Sequence, residues 1–139
     1  MKALSLWQPW AALMAVGAKR IETRHWSTAY RGELAIHAAK RKVDIEFLNE
    51  CPEAADALSC YGMWYGAIVA VVDLYDVNRT EDIIKELHGP EILFGNYSPN
   101  RFGWLTKEPR QLKNPVFTRG FQSLWTLPQE IESQVRAQL

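Results

Sequence analysis

Six consecutive apolar residues, Ala67-Ile68-Val69-Ala70-Val71-Val72, limit what this chain of 139 residues can fold into. Four of them are β-branched, and alternation puts apolar side chains on both faces. Such a run fits a strand covered on both sides. It is far too short for a membrane-spanning helix, which needs about 20 residues. No stretch approaches that length, so no membrane span is expected. The run lies within a strand expected over residues 65–77, and a strand covered on both faces requires a sheet around it.

Other segments can supply that sheet. Residues 2–7 alternate Leu4 and Leu6 against Ala3, Ser5 and Trp7. A strand over 33–39 follows the turn residue Gly32. Residues 101–106 put Phe102 and Trp104 on one face, residues 107–114 read as a turn and a further extended segment, and 123–127 make a last strand. Helices fall between. Trp10, Leu13, Met14 and Gly17 sit at helical spacing after Pro9, and Gly17 stops that helix. Residues 43–58 form an acidic helix that Pro52 interrupts or restarts. Residues 80–87 open with a capping threonine and two acids. The polar segment 128–139 is anchored by Ile131 and Val135. Two strands flank the first helix, but the later strands follow one another through turns. This order predicts an α+β fold with a curved or closed sheet rather than a doubly wound one. The length and the 47% hydrophobic content fit a single domain over 1–139.

The net charge is zero, yet the charge is segregated. Residues 1–42 carry eight cations against two acids (+6), residues 43–100 two against eleven (−9), and residues 101–139 six against three (+3). If the two basic ends meet in the fold, they make a positive face suited to a phosphate-bearing partner. Cys51 and Cys60 form no CxxC or metal pattern and are expected as buried thiols of a cytoplasmic protein rather than a disulfide. The three histidines, His25, His37 and His88, pair with no cysteine or carboxylate at ligand spacing, so no metal and no cofactor are expected. Gly-rich phosphate loops and a GxSxG elbow are also absent.

The densest charge lies in Gly17-Ala18-Lys19-Arg20-Ile21-Glu22-Thr23-Arg24, between the first helix and the next strand. If this run is extended after the glycine, alternation places Glu22, Arg24 and Trp26 on one face and Ile21 and Thr23 on the other.

Taken in order, Ser5-Leu6-Trp7-Gln8-Pro9-Trp10-Ala11, the spacing Gly17-x-Lys19-x-x-Glu22-x-Arg24, Trp26, Arg31-Gly32 and His37-Ala38-Ala39-Lys40 resemble the ASCH family (activating signal cointegrator-1 homology). Its signature is G-x-K-x-x-E-x-R. The segment Arg101-Phe102-Gly103-Trp104-Leu105, with Pro115-Val116 and residues 120–125, is similar to the C-terminal half of small bacterial or phage members. The resemblance implies a PUA-like small mixed β-barrel with helices packed around it, and a cleft lined by the signature. It implies RNA or single-stranded nucleic acid as the partner, or a nucleoside-like small molecule. The alternatives it carries are a small hydrolase, acting on N4-acetylcytidine or as a ribonuclease, and a protein-interaction module of coactivator type.

The binding candidates are Ser5, Trp7, Lys19, Glu22, Arg24, Trp26 and Lys40, with Lys19 and Glu22 as the catalytic candidates. A lysine contacts phosphate, a carboxylate accepts from a base amine, a guanidinium grips phosphate or carbonyl, and an indole stacks on a base. In the hydrolases that the chain resembles, position 22 is threonine; here it is glutamate. Asp73 is a positional candidate for their third, acidic residue. His37, among apolar neighbours, reads as a satisfied core histidine. Lys40-Arg41-Lys42 suit phosphate, and Arg101, Lys107, Arg110 and Lys113 extend that patch if the ends meet.

Overall fold

The apolar run is the middle of the structure. In a computed structural model, which describes residues 1–139, Ala67–Arg79 forms a 13-residue strand whose first six residues are fully buried. In chain order the strands are β1 (Lys2–Leu6), β2 (Ile21–Arg24), β3 (Gly32–Ala38), β4 (Ala67–Arg79), β5 (Phe102–Phe117) and β6 (Leu124–Thr126). The helices are α1 (Trp10–Ala15), α2 (Ile45–Glu50), α3 (Pro52–Ala57), α4 (Thr80–Ile83) and α5 (Gln129–Arg136), with a 3-10 segment over Gly89–Phe94. No helix is long and apolar enough to cross a membrane.

The strands form one sheet in the order β2-β5-β4-β3-β1-β6. Only β1 and β3 are parallel; every other pair is antiparallel. The sheet curls into a half-barrel, as expected for a mixed α+β barrel. Its curl has a local cause. Three register shifts interrupt the β4–β5 pairing, between Ile68 and Ala70, Val71 and Asp73, and Leu74 and Asp76. Each shift leaves unequal residue numbers on the two strands, which bends and twists the pair.

Those shifts also correct one expectation. The segments expected over 101–106 and 107–114 join in a single 16-residue strand, Phe102–Phe117, with no turn between them. Glu108 takes a left-handed conformation (φ 51) beside Pro109, and the turn chemistry is absorbed as a bulge inside the strand. The fourth helix is also shorter than expected. It covers Thr80–Ile83, and Thr80 is its buried first residue rather than its cap, with the hydroxyl donating to the Ser98 carbonyl at 2.7 Å. Pro52 does restart the acidic helix, giving α2 and α3, and the Asp44 carboxylate caps α2 by accepting from the Phe47 amide at 2.9 Å.

Core residues pack on both faces of the sheet. On one face α1 covers Leu4, Leu6, Leu34, Ile36, Val69 and Trp104. On the other, Val135 of α5 meets Ala3, Ile68, Val71, Val116 and Trp125. A smaller cluster joins α1 to α2 and α3 through Leu13, Cys51, Ala54 and Phe94. The Trp104 ring is completely buried, and its Nε1 donates to the Trp26 carbonyl at 3.2 Å. Both cysteines are free; Cys51 is buried as expected, but Cys60 is exposed, since it lies past the end of α3.

Candidate functional site

Gly17 ends α1 in a left-handed conformation (φ 83), where a Cβ would sit 3.1 Å from the Pro109 ring. This turn sends Lys19 inward. None of its side chain is exposed. Nζ donates to the carbonyls of Ile21 at 2.6 Å and Phe94 at 2.8 Å, and lies 3.3 Å from Glu22 Oε1. These three acceptors match the three ammonium protons. β2 then alternates as expected: Ile21 and Thr23 are buried, while Glu22 and Arg24 keep part of their side chains at the surface.

Arg24 joins two distant parts of the sheet. Its Nε and Nη2 lie 3.0 and 2.9 Å from Glu22 Oε2, and Nη2 also donates to the Ser5 carbonyl at 2.9 Å. β2 is one edge of the sheet and β6 the other, and β6 pairs with β1 only over Lys2–Leu4. Ser5 therefore extends past the end of β6, on a strand edge that would otherwise present a bare carbonyl. The guanidinium fills this gap and closes the curled sheet on itself. Lys19, Glu22, Arg24 and Ser5 thus form one continuous polar seam.

The Ser5 side chain faces a second polar group. Its Oγ is 3.0 Å from His37 Nδ1, while His37 Nε2 is 2.9 Å from the Thr118 carbonyl. That carbonyl only accepts, so Nε2 carries the proton and Nδ1 accepts from the serine hydroxyl. Trp125 Nε1 donates to the same Oγ at 3.3 Å. His37 is buried and satisfied at both nitrogens, and burial lowers its pKa from the ordinary 6.5.

The remaining candidates are placed differently. Trp26 turns to the edge of the core and meets Trp104 edge-to-face at 4.7 Å. Trp7 is 53% exposed, with the Arg41 guanidinium 3.7 Å from its ring centroid. Lys40 is exposed, its stem lying along Gly66, where a Cβ would come within 3.1 Å of it. Asp73 does not join the seam. It pairs with Arg110 at 3.1 Å, and Arg110 also meets Glu33, which Arg136 of α5 holds at 3.0 Å. Arg101 is likewise spent on the carbonyls of Asn96 and Thr23. Neither arginine extends the basic patch.

Three residues near the site were not singled out from the sequence. Glu91 Oε1 accepts from the Arg20 amide, while its Oε2 is buried without a partner. Burial raises the Glu91 pKa, against the pull of the Arg20 amide and the Lys19 charge. The Tyr97 hydroxyl is also buried and unpartnered; burial, and then the Glu91 and Glu22 carboxylates, push its pKa upward. Gln8 is fully buried, accepting from the Ala12 amide at 2.9 Å and donating to the Trp64 carbonyl at 2.8 Å. Only Gln8 left a signal in the sequence, as a polar residue before the proline that opens a helix.

Comparison with known proteins places the chain in a family. The chain is 28% identical to human activating signal cointegrator 1 and 27% identical to the mouse protein, in each case over 92% of the chain but 22% of the relative. It therefore spans about a fifth of the length of these relatives. Its fold is similar to the crystal structure of ASCH from Zymomonas mobilis, at a TM-score of 0.62 and 12% identity, covering 98% of this chain and 93% of that one. A mutant of that bacterial protein matches at a TM-score of 0.61. The ASCH domain model matches residues 4–115, which takes in the end of β1, the whole signature and most of β5, and the chain belongs to the ASCH domain family.

Proposed function

We propose that this domain binds RNA or single-stranded nucleic acid along the seam formed by Ser5, Glu22 and Arg24, with Trp7 and Lys40 beside it. The observation that carries this reading is the Glu22–Arg24 pair, which is held rigidly yet keeps 13% and 25% of its side chains open. A fixed carboxylate can accept from a base amine, and a fixed guanidinium can donate to a phosphate or a base carbonyl. Lys19 stands behind them as a positioning residue. Its three acceptors leave no donor for a substrate, which supports binding over hydrolysis with lysine as the activating group. The exposed Lys40, Arg41 and Lys42 would supply the salt-dependent part of the affinity.

The test is fluorescence anisotropy of a labelled RNA strand across a salt series. Affinity is expected to fall as salt rises, and Lys40→Ala with Arg41→Ala to flatten the slope by roughly one to two charges. Binding indifferent to salt, or no binding at low salt, would sink the reading. Turnover of acetylcytidine or RNA by the wild type, lost in Glu22→Gln, would favour the hydrolase instead.

A further inference from the structure

We infer that the strand runs on from the seam over one end of the sheet, where unpaired bases stack on a group of exposed aromatics. This rests on the nucleic-acid reading above and adds a path, a minimum length and a preference for single strands. Five large aromatics are exposed in this protein: Trp7, Trp64, Tyr75, Phe117 and Phe121. All but Tyr75 emerge at the same end. Trp7 follows the last residue of β1, Phe117 is the last residue of β5, Trp64 lies just before β4 and Phe121 just before β6. The pairing of Ala67 with Phe117, and of β1 with β3 in parallel, brings these strand ends together. Trp64 and Phe117 meet edge-to-face with centroids 6.2 Å apart.

Phe121 lies edge-to-face on the core Trp125 at 5.5 Å, yet it and the other three rings are 41–61% exposed, and four exposed rings at one end of a small sheet ask for a partner. The charge beside them indicates which. Arg41 lies over Trp7, and the Arg119 guanidinium lies 5.1 Å from the centroid of Phe121. Lys40 and Lys42 are exposed on the same strand exit. Rings for bases and cations for phosphates, interleaved on one surface, are the composition of a single-strand track. A duplex hides its base faces and would leave the rings unused. Beside Trp7 a groove of about 460 Å³ is lined by Trp10, Arg41 and Lys42 together with Asp44 and Glu46.

The end face is also held in place. His37 fixes the Thr118 carbonyl, and the Ser5 hydroxyl lies 3.4 Å from the Phe121 carbonyl. Gly66 accepts from the Thr118 amide, and Gln8 holds the Trp64 carbonyl. The rings therefore stand on fixed backbone, and Ser5 links them directly to the seam.

The test uses the full chain with labelled oligouridylates of four, eight and twelve nucleotides and a blunt RNA hairpin. The eight-mer is expected to bind at least tenfold tighter than the four-mer and the hairpin. Phe117→Ala with Phe121→Ala is expected to weaken the eight-mer on the order of tenfold or more, from the stacking lost per base. Both side chains are at least half exposed, but Phe121 also packs on Trp125, so a small fall in Tm is expected and binding is measured well below the melting range. Equal affinity of wild type and double variant for the eight-mer would overturn the stacking track and leave the seam reading standing. Preference for the hairpin would overturn it in favour of duplex recognition. Failure of the wild type to bind any oligonucleotide, with or without capture by anionic vesicles, would overturn both readings.

Discussion

The Lys19 ammonium lies 3.3 Å from the Glu22 carboxylate with none of the lysine side chain exposed. A lysine in a charged run at a helix end would ordinarily be solvated. Here it is inside the protein, holding two carbonyls and one carboxylate, and Glu22 supplies its one close ion pair. Removing Glu22 leaves the buried ammonium without its close ion pair, and removing Lys19 leaves Glu22 with Arg24 alone.

Lys19→Met is therefore expected to destabilise the fold by about 3 kcal/mol, from two unpaired carbonyls and a carboxylate left with Arg24 alone. For a domain of this size that corresponds to a fall in Tm of roughly 10 °C. In a double-mutant cycle, Lys19→Met and Glu22→Gln together should cost clearly less than the sum of the two single changes. Thermal melting of the four proteins checks this. Strict additivity would mean that the pair is not coupled.

Gly120 lies directly against the Ser5–His37 hydrogen bond. A Cβ there would fall 2.4 Å from His37 Cε1, 2.5 Å from Nδ1 and 2.7 Å from Ser5 Oγ. The imidazole is held at both nitrogens and cannot move aside. Gly120→Ala is expected to cost roughly 1–3 kcal/mol by overpacking. Denaturant melts measure it, and a neutral effect would show that the 118–121 segment can lift away from the sheet.

The parts of the fold that were legible in the sequence are those with a repeating cause. Ala67 to Val72 reads as a buried strand because both faces are apolar, and Gly17 reads as a stop because α1 has a clear stripe before it. Glu22 and Arg24 fall on one face by simple alternation. The unity of β5 was hidden because Glu108 and Pro109 have turn chemistry, and only pairing with a β4 of comparable length makes them a bulge. Glu91 and Tyr97 were hidden for another reason: their relation to Lys19 and Glu22 crosses some 70 residues and depends on how the 3-10 segment lies on β2. Burial of Lys19 belongs to the same class, since Phe94 supplies one of its acceptors. The Arg24 contact to Ser5 exists only because the sheet curls, and no local pattern encodes it.

Stability should depend on pH through His37. Its pKa in the fold lies below the ordinary 6.5, because burial disfavours the imidazolium. The unfolded chain then takes up a proton near pH 6.5 that the folded chain refuses. This contribution to stability is complete above pH 6.5 and is lost as the pH falls toward the folded value. His37→Gln should be less stable at neutral pH, and its stability should vary less between pH 7 and 5 than that of the wild type. Chemical denaturation at a series of pH values reads both, and identical pH profiles would show that other groups dominate the window.

Arg24→Lys keeps the charge and removes the geometry. The guanidinium holds Glu22 with Nε and Nη2 while Nη2 also reaches the Ser5 carbonyl, so one planar group spans from β2 to β1. A lysine ammonium is a point charge on a flexible stem and cannot hold both partners in that plane. The closing contact of the sheet is expected to weaken by about 1–2 kcal/mol, from one charge-assisted hydrogen bond. If the seam binds nucleic acid as proposed, affinity should drop further than stability does, on the order of tenfold, while the salt dependence stays nearly the same because the charge is retained. Melting and anisotropy measured on the same protein separate the two effects. Unchanged affinity in a less stable variant would assign Arg24 to sheet closure alone.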